Sequence, residues 1–259
     1  MSTELFTEVG FLARRSVRRT MRQPALVVPT IVFPLFLLAV NASGLADATR
    51  IPGFPTDSYL DFAIAFPFIQ GSLFASINAG TSLARDVETG FIKRLALTPM
   101  QRSALLIGNL AGVMVVALLA AFIYLAVGFA AGLHVAAGAA GVLVMLALAL
   151  LIALAFAAVG AFVGLRTGSG EAVQGVFPLF FVFLFLSSSS LPRNLIEQDW
   201  FRTIATYNPV SYLFEGLRAP ILFGWDGEAL ALGFGIAAVI AVVAIIGASR
   251  ALTTRLVGG

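Results

Sequence analysis

Apolar residues run along this chain in long unbroken blocks, not in alternation with polar ones. Six such runs, approximately 25–45, 59–84, 103–132, 136–165, 172–190 and 229–249, approach or exceed spanning length. A helix needs ~20 apolar residues to cross ~30 Å of hydrocarbon. With no water to satisfy backbone groups, runs of this kind must be helical. The period-2 pattern of an outer-membrane barrel is absent. Gly132, His134 and Gly138 mark a turn between the third and fourth runs, which carry no charge of their own. The predicted fold class is an all-α membrane protein of six transmembrane helices, built as a single transmembrane domain over residues 1–259.

Two flanking segments carry a different pattern. In residues 1–24, Leu5, Val9, Ala13, Val17 and Met21 recur every four positions beside Arg14, Arg15, Arg18, Arg19 and Arg22. That predicts an amphipathic interfacial helix against anionic headgroups, closed by Pro24. Pro24, Pro29 and Pro34 are expected to bend the first span. Segment 191–228 mixes charges with Leu195, Ile196, Phe201, Ile204, Leu213, Phe214, Leu217, Ile221 and Leu222, and predicts short re-entrant or interfacial helices before the last span. The first apolar run has the length of a span, not of a leader, so a secretory signal is not expected.

Composition narrows the classes. The chain is 59% hydrophobic and 11% charged, where a soluble domain has about 25% charged residues, so lipid is its main solvent. It has no cysteine, which excludes disulfides and thiolate metal sites. The net charge of +3 comes from arginines at the ends of apolar runs, a topogenic pattern, not a nucleic-acid-binding stripe. With the N-terminus inside, Arg14, Arg15, Arg18, Arg19, Arg22, Arg85, Lys93, Arg94, Arg102, Arg166, Arg250 and Arg255 fall on the cytoplasmic side. Only Arg50, Arg193, Arg202 and Arg218 fall outside. Both termini are therefore expected in the cytoplasm, with Trp200, Tyr207, Tyr212 and Trp225 together at the outer interface.

The stretch Arg85-Asp86-Val87-Glu88-Thr89-Gly90-Phe91-Ile92-Lys93-Arg94-Leu95-Ala96-Leu97-Thr98-Pro99 is the densest cluster of mixed charge, and it keeps apolar residues at its middle. A short amphipathic helix after Gly90, ended before Pro99, would offer Phe91, Ile92, Leu95 and Leu97 to a partner's groove. A solvated retention loop is the plainer alternative. The pattern Asp-x-Glu-x-Gly-x-x-x-Arg-Leu-x-x-Thr-Pro in this stretch resembles the coupling segment of ABC-2 type permeases. So does Tyr207-Asn208-Pro209-x-x-Tyr212-x-x-Glu215-x-x-Arg218, with Pro192 and Trp200 upstream, which is similar to that family's membrane-edge segment. The likeness extends over nearly the whole chain, and is greatest to daunorubicin- and multidrug-resistance exporters.

The resemblance implies a permease in a bacterial plasma membrane, paired with a second permease chain as a homodimer and with two copies of a separate ABC ATPase. Segment 85–102 would couple to that ATPase through Arg85, Asp86, Glu88, Gly90, Phe91, Lys93, Arg94, Leu95, Thr98 and Pro99. The turn at Arg166, Ser169 and Glu171 would make a smaller contact. ATP and Mg would bind the partner and no cofactor this chain. The residues agree, because a P-loop needs Gly-Lys-Ser/Thr and the single lysine, Lys93, lies between Ile92 and Arg94. No catalysis by this chain itself is expected.

Candidate path residues come from helix periodicity. Phe62, Phe66, Gln70, Phe74 and Asn78 share one face of the second span, and Phe177, Phe181 and Phe185 one face of the fifth. They would form an adaptable aromatic cleft for hydrophobic small molecules, with ordinary helix packing as the alternative. A lipid or lipid-linked glycan is the competing cargo. An ion-coupled carrier would need an ionisable group near mid-membrane. Instead Asp61 and Glu171 lie near span ends, where Asp61 reads as an interfacial cap, and Glu215 lies in the outer segment. His134 sits in a turn, and Ser187 to Ser190 have no adjacent base, so neither supports an enzyme.

Overall fold

The computed structural model describes residues 10–11, 14, 17–18, 24–95 and 102–257, and every described element is helical. Of the N-terminal amphipathic helix, Gly10, Phe11, Arg14, Val17 and Arg18 are described. They are helical, with Arg14 and Arg18 exposed and Val17 half-buried. The remainder of that expectation, Leu5, Val9, Ala13 and Met21 included, lies outside the described residues.

The helices are α1 (Pro24–Gly44), α2 (Tyr59–Ala63), α3 (Ala65–Glu88), α4 (Phe91–Leu95), α5 (Arg102–Ala130), α6 (Gly138–Thr167), α7 (Gly170–Phe185), α8 (Asp199–Tyr207), α9 (Pro209–Leu222) and α10 (Gly227–Val257). Four stretches are long and apolar enough to cross a membrane: Tyr59–Glu88, Ala104–Ala130, Gly138–Thr167 and Gly227–Leu256. Val28–Gly44 and Gly170–Phe185 are shorter apolar helices. Each expected run has its helix. The break between α2 and α3 at Ile64 follows from Pro67, which has no N–H to give the Ala63 carbonyl one turn earlier.

Successive long helices alternate in direction. One end of the bundle, the loop end, carries the α3–α4 turn, α4 and the α6–α7 turn; the other, the cap end, carries α8, α9 and the α5–α6 turn. α3, continued from α2, is the central element: 78% of the most apolar part of Tyr59–Glu88 is buried, against 22% for that of α10. It packs chiefly on α6, which in turn carries α10. Small residues bring the α3 and α6 backbones into contact. A Cβ on Gly160 would overlap the Ser76 carbonyl, and one on Gly164 the Gly80 carbonyl. Without a hydrophobic drive between helices in lipid, this Gly-x-x-x-Gly approach supplies the packing. Gly216 of α9 and Gly233 of α10 cross in the same way, a Cβ on either lying 3.1 Å from the other's Cα.

The fifth run departs from expectation. Its helix ends at Phe185, not near residue 190, and Ser187 to Ser190 form an irregular buried turn. The Ser187 hydroxyl donates to the Leu184 carbonyl at 2.5 Å, while the later carbonyls turn inward to a side chain of α9.

Candidate functional site

The cap end is organised around Arg218, which the α9 helix buries to 3% exposure. Its Nε donates to the Phe62 carbonyl (2.8 Å), Nη1 to Ser188 (2.5 Å) and Nη2 to Ser189. The guanidinium lies 3.4 Å from the Phe62 ring centroid and 5.0 Å from that of Phe214. A planar fork of five donors suits this set of divergent carbonyls between aromatic faces, where a lysine would not. Asn208 caps α9 by accepting from Val210 N (2.9 Å), and its amide donates to the Phe183 (2.6 Å) and Leu186 (2.9 Å) carbonyls, which holds α9 to the end of α7. Pro209 follows at the first turn of α9, where no N–H is needed.

The rest of the outer motif is divided. Tyr212 donates to the Thr206 carbonyl, and its ring lies 4.4 Å from Arg193. Arg193 pairs with Glu215 at 2.6 Å. Burial alone would lower the Arg193 guanidinium, but Glu215 and Tyr212 hold it above its ordinary value. Tyr207 is 83% exposed and takes no part in the lock. Asp61 accepts from the His134 backbone N–H at 3.1 Å, capping the α5–α6 turn. Among the described residues, no cluster of His, Asp or Glu is placed to hold a metal.

The structure separates the path candidates into two groups. Phe62 and Phe66 are buried at the cap end, Phe62 beneath Arg218 and Phe66 with its ring 6.0 Å from that of Phe214. Gln70 is fully buried with neither amide atom hydrogen-bonded. Phe74, Phe177, Phe181 and Phe185 instead form a ladder along one flank, with successive centroids 5.6, 4.7 and 5.9 Å apart. Phe33 of α1 extends it, 6.1 Å from Phe74. The ladder opens outward, for Phe185 is 55% exposed and Phe33 40%. Asn78 faces a different cleft, between α3, α5 and α6.

At the loop end, Gly90 (φ +66°) turns the chain from α3 into α4. Arg85, Glu88 and Arg94 are exposed, Asp86 is buried, and Phe91 is half-buried against the core. The expectation that Ile92 projects to a partner is corrected. At 2% exposure it is buried in one cluster with Leu105, Leu106 and Leu252, because α4 folds back on α3 and α10. The side chains of Lys93 and Leu95 lie outside the described residues, as do Leu97, Thr98 and Pro99 altogether. Glu88 accepts from Gly170 N at 3.3 Å, so the end of α3 and the α6–α7 turn, with exposed Arg166 and Glu171, form one surface. Arg255 of α10 closes it from below, donating to the Leu165 (3.1 Å) and Arg166 (2.9 Å) carbonyls. This caps the C-terminus of α6 with a cation.

Sequence reasoning missed Phe33, the Arg193–Glu215 pair, Arg255 and the Gly160–Gly164 contact. Only the last had a local signal, its glycines being four apart in an apolar run.

Residues 7–222 match the ABC-2 type transporter family. The chain is 24% identical over 219 residues to ycf38 of Porphyra purpurea, a protein named as a transport permease, covering 84% of this chain and 75% of that one. It is 26% identical over 220 residues to ycf38 of Pyropia yezoensis, with the same coverage. It is 24% identical over 229 residues to the daunorubicin resistance ABC transporter permease protein DrrB1 of Streptomyces coeruleorubidus, covering 83% of this chain and 75% of that one.

Proposed function

The chain belongs to the ABC-2 type transporter family and is the membrane component of an ABC transporter. From that premise we propose that it exports hydrophobic or amphipathic, drug-like compounds across a bacterial plasma membrane, using ATP hydrolysed by a separate subunit. In this reading all six apolar helices span, both termini are cytoplasmic, and the loop end faces the ATPase. Two copies of the chain pair with two copies of the ATPase. The likeness to a daunorubicin-resistance permease supports a drug cargo. The observation that carries the reading is the aromatic ladder from Phe33 to Phe185, a flank of adaptable apolar rings on the helices leading away from the loop-end surface. It offers stacking without fixed charge, which fits apolar planar compounds.

Closure of the ATPase would push on Glu88 to Arg94. α3 and α7, joined at Glu88–Gly170 and at Phe74–Phe177, would carry that push to the ladder. The test is purification of the complex in mild detergent, followed by ATPase and vesicle transport assays with and without planar apolar compounds. Stoichiometric ATPase, stimulated by those compounds and uncoupled by charge reversal at Lys93 and Arg94, is the expected result. Stimulation by lipid-linked glycans alone would move the cargo to that class. A chain that purifies without any ATPase would overturn the reading.

A further inference from the structure

α1 carries two prolines inside its length, Pro29 and Pro34, and the second faces the bundle. Thr30, Pro34 and Leu38, four residues apart, form the buried face of this helix, while Val28, Val32, Phe36 and Val40 are exposed. In an unbroken helix the Thr30 carbonyl would accept from the N–H of residue 34. Proline has no N–H, and its ring crowds the carbonyl one turn back. A carbonyl displaced from its helix inside a membrane finds no water, so leaving it unpaired is costly.

Tyr124 of α5 supplies a donor, for its hydroxyl donates to the Thr30 carbonyl. The side chain is 2% exposed, and its ring stands edge-on to Phe68 of α3, with centroids 5.5 Å apart at 85°. Gly71 makes room for it: a Cβ there would lie 2.8 Å from the hydroxyl oxygen and 3.3 Å from the ring. Three helices therefore meet at one hydroxyl, which α5 provides, α3 leaves space for and α1 engages through its carbonyl. A phenylalanine would pack in the same place, so the hydroxyl has a use that packing does not require.

The two halves of α1 are held differently. Beyond Pro34, Leu38 is buried in one core cluster with Phe62 and Leu217. Before it, residues 24–33 are tied to α5 through the Thr30 carbonyl and to α3 through the Phe33 ring, which stands edge-on to Phe74 at 6.1 Å and 86°. Prolines inside helices are where helices bend. We propose that Tyr124 latches a proline hinge in α1: its hydroxyl stands in for the N–H that Pro34 lacks and holds the arm 24–33, with Phe33, against the Phe74 end of the aromatic ladder. Tyr124 is a positioning residue, acting on the ladder only through that arm. The arm's part in transport rests on the exporter reading. With the latch made, Phe33 closes the Phe74 end of the ladder against the bilayer; with it broken, the arm swings about Pro34 and uncovers Phe74.

The chain has no cysteine, so spin labels can be attached at chosen sites without removing any. The test places them at two exposed positions, Val28 on the arm and Val243 on α10, through Val28→Cys and Val243→Cys in the full chain in lipid nanodiscs. The distribution of distances between the labels is then measured. Tyr124→Phe is expected to at least double its width. The same substitution in a Pro34→Ala chain, whose helix regains its own donor, is expected to leave a single narrow peak. Gly71→Ala crowds the hydroxyl and should reproduce the broadening, which keeps the test decisive if Tyr124→Phe fails to fold. An unchanged distribution in both variants would overturn the proposal. Equal broadening with proline or alanine at position 34 would overturn it too, because the hydroxyl would then serve something other than the hinge. In the complex with its ATPase, Tyr124→Phe should lower several-fold the concentration of a planar apolar compound needed for half-maximal stimulation, and Pro34→Ala should restore it. An unchanged value beside broadened distances would overturn the gating role. The distances need no ATPase, so failure of the exporter reading appears as absent ATP hydrolysis and failure of the latch appears in the distances alone.

Discussion

The two ends of the bundle are built on opposite plans. At the cap end a single buried arginine binds carbonyls from α2 and from the turn after α7, and Asn208 adds two more carbonyls of the α7 end. At the loop end the corresponding links are exposed or only half-buried: Glu88 to the Gly170 amide and Arg255 to two carbonyls of α6. Buried polar networks are strong when satisfied and costly when broken, whereas exposed ones contribute little and exchange readily with water. The cap end is therefore suited to act as a pivot, and the loop end as the part that yields. This agrees with placing the ATPase at the loop end, since a push is useful only where the structure can move.

Breaking the comparison at its strongest point should have the largest effect. Arg218→Met would leave the Phe62, Ser188 and Ser189 carbonyls without their donor, at ~1–3 kcal/mol per buried group left unpaired. Thermal melting in detergent should drop by more than 10 °C or folding should fail, and Arg218→Lys should recover only part of the loss. A melt within 2 °C of wild type would remove the pivot from the account. Next in size is Gly164→Val, which must displace the Gly80 backbone and should cost about 1–3 kcal/mol by overpacking. Cysteine cross-linking between α3 and α6 would register the separation.

At the loop end, smaller effects on stability should accompany larger ones on coupling. Lys93→Glu with Arg94→Glu should leave the melt unchanged within about 0.5 kcal/mol, while transport per ATP hydrolysed falls at least ten-fold. Equal coupling in that double variant would refute the loop-end assignment. Glu88→Gln keeps an acceptor for the Gly170 amide and should retain most coupling, whereas Glu88→Ala should lose several-fold. Transport assays on both sharpen the question of whether this link carries force. Smallest in stability is Phe185→Ala, at an exposed ladder position. It should shift the set of compounds that stimulate ATP hydrolysis and leave the melt in place. Phe66→Ala should do the reverse, because Phe66 is core beside Phe214.

The difference between those two phenylalanines marks the limit of the sequence. Phe62, Phe66, Gln70, Phe74 and Asn78 repeat every four residues and lie along α2 and α3. A stripe over seventeen residues, however, passes several neighbours in turn: α9 at Phe66, α7 and α1 at Phe74, and the α5–α6 cleft at Asn78. Periodicity reports a face, and only the surrounding helices decide what that face meets. Ile92 shows the same at the loop end. Its place in an amphipathic pattern suggested a knob, and α4 folds it inward instead. Ser187 to Ser190 read as a hydroxyl-rich helix end, whereas their backbone, more than their hydroxyls, receives Arg218 from thirty residues away.

By itself the sequence determined the solvent, the helical class and the place of each apolar element, because those follow from composition and local period alone. It also determined the family, whose two motifs are contiguous stretches that need no fold to be read. The tertiary structure alone decided that Arg218 locks the cap end, that Phe74 joins Phe33 and Phe177 while Phe66 does not, and that one face of α3 closes on α6. Each of these depends on residues far apart in the chain meeting at a few ångströms, and hydrophobic pattern carries no information about which distant helix supplies the other half of a contact.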